Sequence, residues 1–199
     1  SPMSRGLGDV YKRQENNFCH QEVGGQIQAI NQIGSEDCLY LDIRAPHGGR
    51  DNLPVMFWIH GGGNTSGHKD FYNFSELVKR KDVIVVTSNY RLGPLGFFTH
   101  PAIQDFNSGI DKTSNFGTLD IVLALKWVNE NIAAFGGDPN NITIFGESAG
   151  GHNVFSLLVA QQAKGLFHKA ISQSGYTKSS SLQNAYKSEN FNEEGISDS

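Results

Sequence analysis

Cysteine is scarce in this sequence. Cys19 and Cys38 are the two present, too few for a disulfide scaffold or a four-thiolate zinc site but enough for one bridge. Charge of one sign is not in excess either. Sixteen Lys and Arg stand against twenty Asp and Glu, a formal charge of -4, so no basic surface draws the chain onto nucleic acid or anionic lipid. No apolar run approaches the roughly 20 residues that a membrane span needs. No H-E-x-x-H or paired-cysteine spacing occurs, so no metal motif is present. What remains is a chain of 199 residues, 38% hydrophobic and 18% charged, enough to bury one sizeable core as a single domain.

The two ends differ from the rest. Residues 1–14 lack apolar periodicity and carry no signal-peptide h-region. Within them, SRGLGDVYKRQ at 4–14 resembles one reading frame of a transposon-type sequencing adapter, so 1–14 is expected to be a non-native leader. Residues 178–199, rich in Ser, Asn and Glu, read as a polar loop or tail. The fold is expected within 15–177.

Between the ends, strands alternate with helices. Short β-branched or aromatic runs bounded by Gly, Pro, Asn or Asp predict strands at 39–43, 55–59, 83–87, 142–145 and 169–172. The central three are nearly continuous apolar runs, as expected of strands covered on both faces of a parallel sheet. Ile121, Leu125, Val128 and Ile132 recur at helical spacing and predict a helix over 116–134, with Gly136 and Gly137 placed to end it. A second helix is expected over 71–81. Its terminal Lys79, Arg80 and Lys81 suit a helix C-terminus, where carbonyl charge accumulates. The class is α/β with a mostly parallel sheet and flanking helices.

The strand at 142–145 runs into Gly146-Glu147-Ser148-Ala149-Gly150 and then into a helical pattern. Strand, G-x-S-x-G and helix in that order describe a turn so sharp that side chains two before and two after the serine would collide. Such a turn lifts the Ser148 hydroxyl clear of the sheet and sets it at a helix N-terminus, where NH groups favour developing negative charge. The strand at 55–59 ends in His60-Gly61-Gly62-Gly63, an HGGG loop whose backbone NH groups can turn towards a ligand. In an oxyanion role Gly62 and Gly63 would donate together with Ala149, and each such donor is worth about 10²- to 10³-fold in rate. A phosphate cradle is disfavoured, because no Gly-Lys-Ser or Gly-Lys-Thr follows and no helix starts at once.

These motifs, with Ser35-Glu36-Asp37-Cys38-Leu39-Tyr40-Leu41, Asn89-Tyr90-Arg91-Leu92-Gly93-Pro94-Leu95-Gly96-Phe97, Asn115-Phe116-Gly117, Phe135-Gly136-Gly137-Asp138-Pro139 and Gly165 to Gly175, resemble the type-B carboxylesterases, the carboxylesterase and cholinesterase family of α/β-hydrolases. The resemblance runs in order from Cys19 to Tyr176, as the N-terminal part of such a domain. It implies that Ser148 is the acylated nucleophile of a carboxylic-ester hydrolase, that Gly62, Gly63 and Ala149 form the oxyanion hole, and that Cys19 bridges to Cys38. A bridge in turn implies a secreted or extracytoplasmic setting. It also implies an Arg91–Asp138 ion pair that fixes loops. The reaction needs no cofactor and its partner is a small-molecule ester.

His60, His152 and His168 are expected to be structural, since the family takes its base from a much later loop, and Glu147 is read as a turn residue. Neither the triad acid nor its histidine lies within these residues. The chain is therefore expected to be a fragment that is inactive alone, because losing triad members costs on the order of 10⁶ in turnover. No Trp lies between Cys19 and Cys38, where cholinesterases stack a quaternary ammonium, so choline specificity is not expected. Asn64 stands where the family commonly has Phe and is expected to make the pocket entrance more polar. Of three glycosylation sequons, at Asn64, Asn73 and Asn141, only Asn73 is expected to tolerate a glycan. The rival reading is a non-catalytic adhesion module on the same fold, against which the intact serine and glycines argue.

Overall fold

A computed structural model describes residues 18–23, 31–106, 108–179 and 181. Residues 1–14 lie outside them, as does most of 178–199. The main sheet has five strands: β3 (Leu41–Arg44), β4 (Leu53–Ile59), β5 (Ile84–Ser88), β6 (Gly137–Glu147) and β7 (Lys169–Gln173). Their order is β3-β5-β4-β6-β7, antiparallel at β3–β5 and parallel across the other three pairings. A separate hairpin pairs β1 (Gln21–Val23) with β2 (Asn31–Ile33).

Alternation along the central strands explains why they read as continuous apolar runs. Val55, Phe57, Ile59, Ile84, Val86, Ile142 and Ile144 face one core, while Trp58, Val85 and Phe145 face another on the opposite side of the sheet. The first is covered by α4 (Phe116–Asn131) and α5 (Ala149–Val159), whose Ile121, Leu125, Val128, Val154 and Leu157 are buried. The second is covered by α1 (Ser75–Lys81) through Val78 and Leu77. Helices flank both faces, as the strand composition requires.

The departures from expectation have identifiable causes. The first helix begins at Ser75 rather than at residue 71, because Tyr72 and Phe74 are drawn onto Trp58 at ring separations of 5.4 and 5.3 Å and Asn73 Oδ1 takes the Ser75 N–H. Its last turn carries Lys79, Arg80 and Lys81, as expected. The helix over 116–134 is α-helical to Asn131 and closes in a 3-10 turn, Ile132–Phe135, ended by Gly136 at φ 84°. Gly137 starts β6, which is longer than expected because pairing with β4 extends back to Leu53 across an irregularity. Two short helices, α2 (Gly93–Phe97) and α3 (Pro101–Phe106), a 3-10 turn at Gly109–Lys112 and the β1–β2 hairpin carry too little periodicity to be read from sequence. Cys19 and Cys38 are disulfide-bonded and buried. Among the described residues no helix is long and apolar enough to cross a membrane.

Candidate active site

Register brings the two glycine motifs together. Ile59, the last residue of β4, lies opposite Gly146 of β6, so the loop at 60–63 and the turn at 146–150 leave adjacent parallel strands at the same sheet end. The turn itself is as tight as its sequence suggests. A Cβ on Gly146 would stand 2.5 Å from the Gly150 carbonyl, and one on Gly150 would collide with the Ile59 carbonyl. Ser148 has φ 56° and ψ -122°, a conformation that costs a non-glycine residue about 1–3 kcal/mol and is held only where surroundings over-determine it. Here the Ser148 N–H is tied to the Gln173 carbonyl of β7 at 2.9 Å and its own carbonyl receives His152 N–H at 3.0 Å. Ala149 opens α5, so its N–H belongs to the first, unpaired turn.

Gly61 packs against this turn, where a Cβ would be 2.7 Å from the Glu147 carbonyl and 3.2 Å from Ser148 Cβ. Gly62 and Gly63 follow with φ of 103° and 64°. Both are exposed, and among the described residues neither N–H meets an acceptor. The Gly62 carbonyl, by contrast, receives the N–H groups of Thr65 and Ser66. Both N–H groups are thus left without a partner among the described residues, while the Gly62 carbonyl is occupied from within the loop.

None of the three histidine rings is hydrogen-bonded to Ser148. His60 is 2% exposed, stacks on Tyr90 at 4.3 Å and donates from Nδ1 to the Gly61 carbonyl at 2.8 Å. Burial pushes its pKa down to about 4, so it is neutral at pH 7. His152 sits one turn beyond Ser148, but its Nδ1 meets the Tyr176 carbonyl at 2.6 Å and its ring stacks on Tyr176. His168 Nδ1 accepts the Ile142 N–H at 3.2 Å. Among the described residues no side chain is hydrogen-bonded to Ser148 Oγ.

Two expectations are corrected. Arg91 pairs with Asp120, not Asp138: its Nε and Nη2 donate to the two Asp120 oxygens at 2.8 Å each, and the guanidinium lies over Phe116. The reason is position along the sheet. Arg91 follows the C-terminal end of β5, whereas Asp138 lies second in β6 at the opposite end and accepts Asn140 N–H instead. Asn64 is likewise not at a pocket entrance. It is 4% exposed, and its left-handed backbone at φ 57°, which Asn tolerates far better than a bulky residue does, carries the side chain beneath the loop. There Asn64 Oδ1 receives Asn153 Nδ2 at 2.9 Å and Tyr90 Oη at 3.2 Å. Of the sequons, Asn73 is exposed, Asn64 is buried and Asn141 holds Lys169 Nζ. Sequence reading also missed a partly buried ionic cluster in which Lys69 Nζ bridges Asp42 and Asp70. Burial pushes the Asp70 carboxyl up, but hydrogen bonding and charge from Lys69, with Arg44 beyond, hold it below its ordinary value.

A serine on a strained turn between a parallel strand and a helix, beside a glycine loop from the neighbouring strand, defines the α/β-hydrolase class. A family model described as the carboxylesterase family matches residues 10–194. The chain belongs to the carboxylesterase family. It is 50% identical over 153 residues to para-nitrobenzyl esterase of Bacillus subtilis, covering 76% of this chain and 30% of that protein. It is also 50% identical over 150 residues to rabbit (Oryctolagus cuniculus) liver carboxylesterase 1, covering 74% and 25%. Among solved structures it matches a PNB esterase with a TM-score of 0.76 at 44% identity, over 85% of this chain and 35% of that one. The chain thus spans between a quarter and about a third of the length of these relatives.

Proposed function

We propose that this chain carries the nucleophile and oxyanion donors of a carboxylic-ester hydrolase, and that the remaining triad groups come from protein beyond these 199 residues. The observation that carries this reading is the juxtaposition of Ser148, on its strained turn, with the loop of the adjacent strand, in which the Gly62 and Gly63 N–H groups meet no acceptor among the described residues. Ser148 Oγ attacks the ester carbonyl, the N–H groups of Gly62, Gly63 and Ala149 hold the tetrahedral oxyanion, the alcohol departs, and water cleaves the acyl-enzyme. The proton of Ser148 passes to an imidazole that none of the described histidines supplies. The 199 residues alone are therefore expected to turn over esters negligibly. The buried Cys19–Cys38 bridge supports a setting outside the reducing cytoplasm. The absence of Trp between those cysteines argues against choline esters.

The test is hydrolysis of p-nitrophenyl and p-nitrobenzyl esters by the full-length protein. Saturable turnover that falls by at least about 10⁴-fold in Ser148→Ala is expected. No turnover by the unaltered protein, with tight binding of a macromolecular partner instead, would favour the adhesion reading.

A further inference from the structure

We propose that Asn64 and Asn153 form a buried clasp that sets the distance between the oxyanion loop and Ser148, and that both are positioning residues for ester cleavage. The proposal rests on Ser148 and the Gly62–Gly63 loop acting as described above.

The loop's own bonds converge on the Gly62 carbonyl, which receives the N–H and hydroxyl groups of Thr65 and Ser66, and none of them engages the Gly62 or Gly63 N–H. Gly62 and Gly63 are exposed and left-handed, so their N–H positions depend on what anchors the flanks. On one flank, His60 is stacked on Tyr90, and Tyr90 Oη donates to the His60 carbonyl at 2.8 Å. On the other, Asn64 follows Gly63 directly and is fixed by main chain and side chain together. Its carbonyl receives Gly93 N–H at 2.6 Å, and its Oδ1 receives Asn153 Nδ2 at 2.9 Å and a share of the Tyr90 proton at 3.2 Å.

Asn153 lies five residues beyond Ser148 on α5 and is 1% exposed. One hydrogen bond between residues 89 positions apart therefore ties the helix that carries the serine to the residue next to the loop donors. An apolar pair would fill the same space without fixing a distance, since dispersion contacts are non-directional. Two amides meeting at 2.9 Å impose one. That matters because oxyanion donors act only within about 2.7–3.1 Å of the developing charge, and a misplacement of about 1 Å costs on the order of 10²-fold.

The test uses the full-length protein with Asn153→Leu, which keeps bulk and removes the donor, Asn64→Gly, which keeps the left-handed backbone and removes the acceptor, and the pair combined. Tyr90→Phe, which keeps the ring on His60 and deletes one hydroxyl, is the mildest variant and the readout should the others not fold. Each single variant is expected to lower kcat about 10- to 100-fold with KM within about threefold. Affinity for a trifluoromethyl ketone, which forms a tetrahedral adduct on serine, should fall in step with kcat/KM. The double variant should be no worse than the poorer single one, because both remove the same bond. Tyr90→Phe should shift kcat and ketone affinity the same way to a smaller extent. Folded variants with lowered Tm but unchanged kcat and ketone affinity would overturn the proposal, as would losses that multiply in the double variant. If the unaltered protein shows no Ser148-dependent turnover, the nucleophile reading fails first and the clasp falls with it.

Discussion

Ser148 spends backbone energy on being accessible. Its φ of 56° and ψ of -122° suit glycine better than any residue with a Cβ. Replacing it by Gly instead of Ala should therefore give an equally inactive protein that is more stable than Ser148→Ala by on the order of 1 kcal/mol, read from denaturant midpoints. Equal midpoints would mean the turn is not strained. His60 makes a second residue-scale prediction. Its folded-state pKa of about 4 lies below the ordinary 6.5, so between those values the unfolded chain holds a proton that the folded one lacks. Stability from this group is fully present above pH 6.5 and is lost as pH falls towards 4, by on the order of 3 kcal/mol. His60→Gln should remove that part of the slope. The tight turn at 146–150 and the glycine-rich loop at 60–63 were legible because each belongs to a contiguous motif. The burial of Asn64 and the Arg91–Asp120 pair were not, since both depend on partners 89 and 29 residues away.

At the scale of elements, the site is a consequence of strand register. Ile59 opposite Gly146 fixes where the loop meets the turn, and the glycines let β4, the turn and α5 approach without a Cβ between them. Gly150→Ala would drive a methyl into the Ile59 carbonyl. Because that neighbour is backbone rather than a flexible side chain, activity should drop by at least about 10²-fold with a lowered Tm. A fully active Gly150→Ala protein would mean the strands are not held this closely. The strands and the long helix α4 could be read from apolar pattern because each buries a regular face. The four-residue late start of α1 could not, since the aromatic packing around Trp58 overrides local propensity there. The Cys19–Cys38 bridge closes a 19-residue separation, for which chain entropy gives about 3 kcal/mol. Reduction or Cys19→Ala should cost about that much in chemical denaturation.

For the whole molecule, two features point outward. β7 is hydrogen-bonded to β6 on one side, and among the described residues nothing pairs with its other edge. Ile171 on that strand and Leu158 and Val159 at the end of α5 are 45%, 53% and 79% exposed. Unpaired edges and apolar faces of this kind associate. The 199 residues expressed alone should sediment as oligomers, whereas the full-length protein should not expose this face. The most direct measurement of the central claim is to treat the full-length protein with a fluorophosphonate and locate the adduct by peptide mass spectrometry. A stoichiometric adduct on Ser148, absent from Ser148→Ala, is the predicted result. An adduct on another serine, or none from a folded protein that hydrolyses esters, would contradict it.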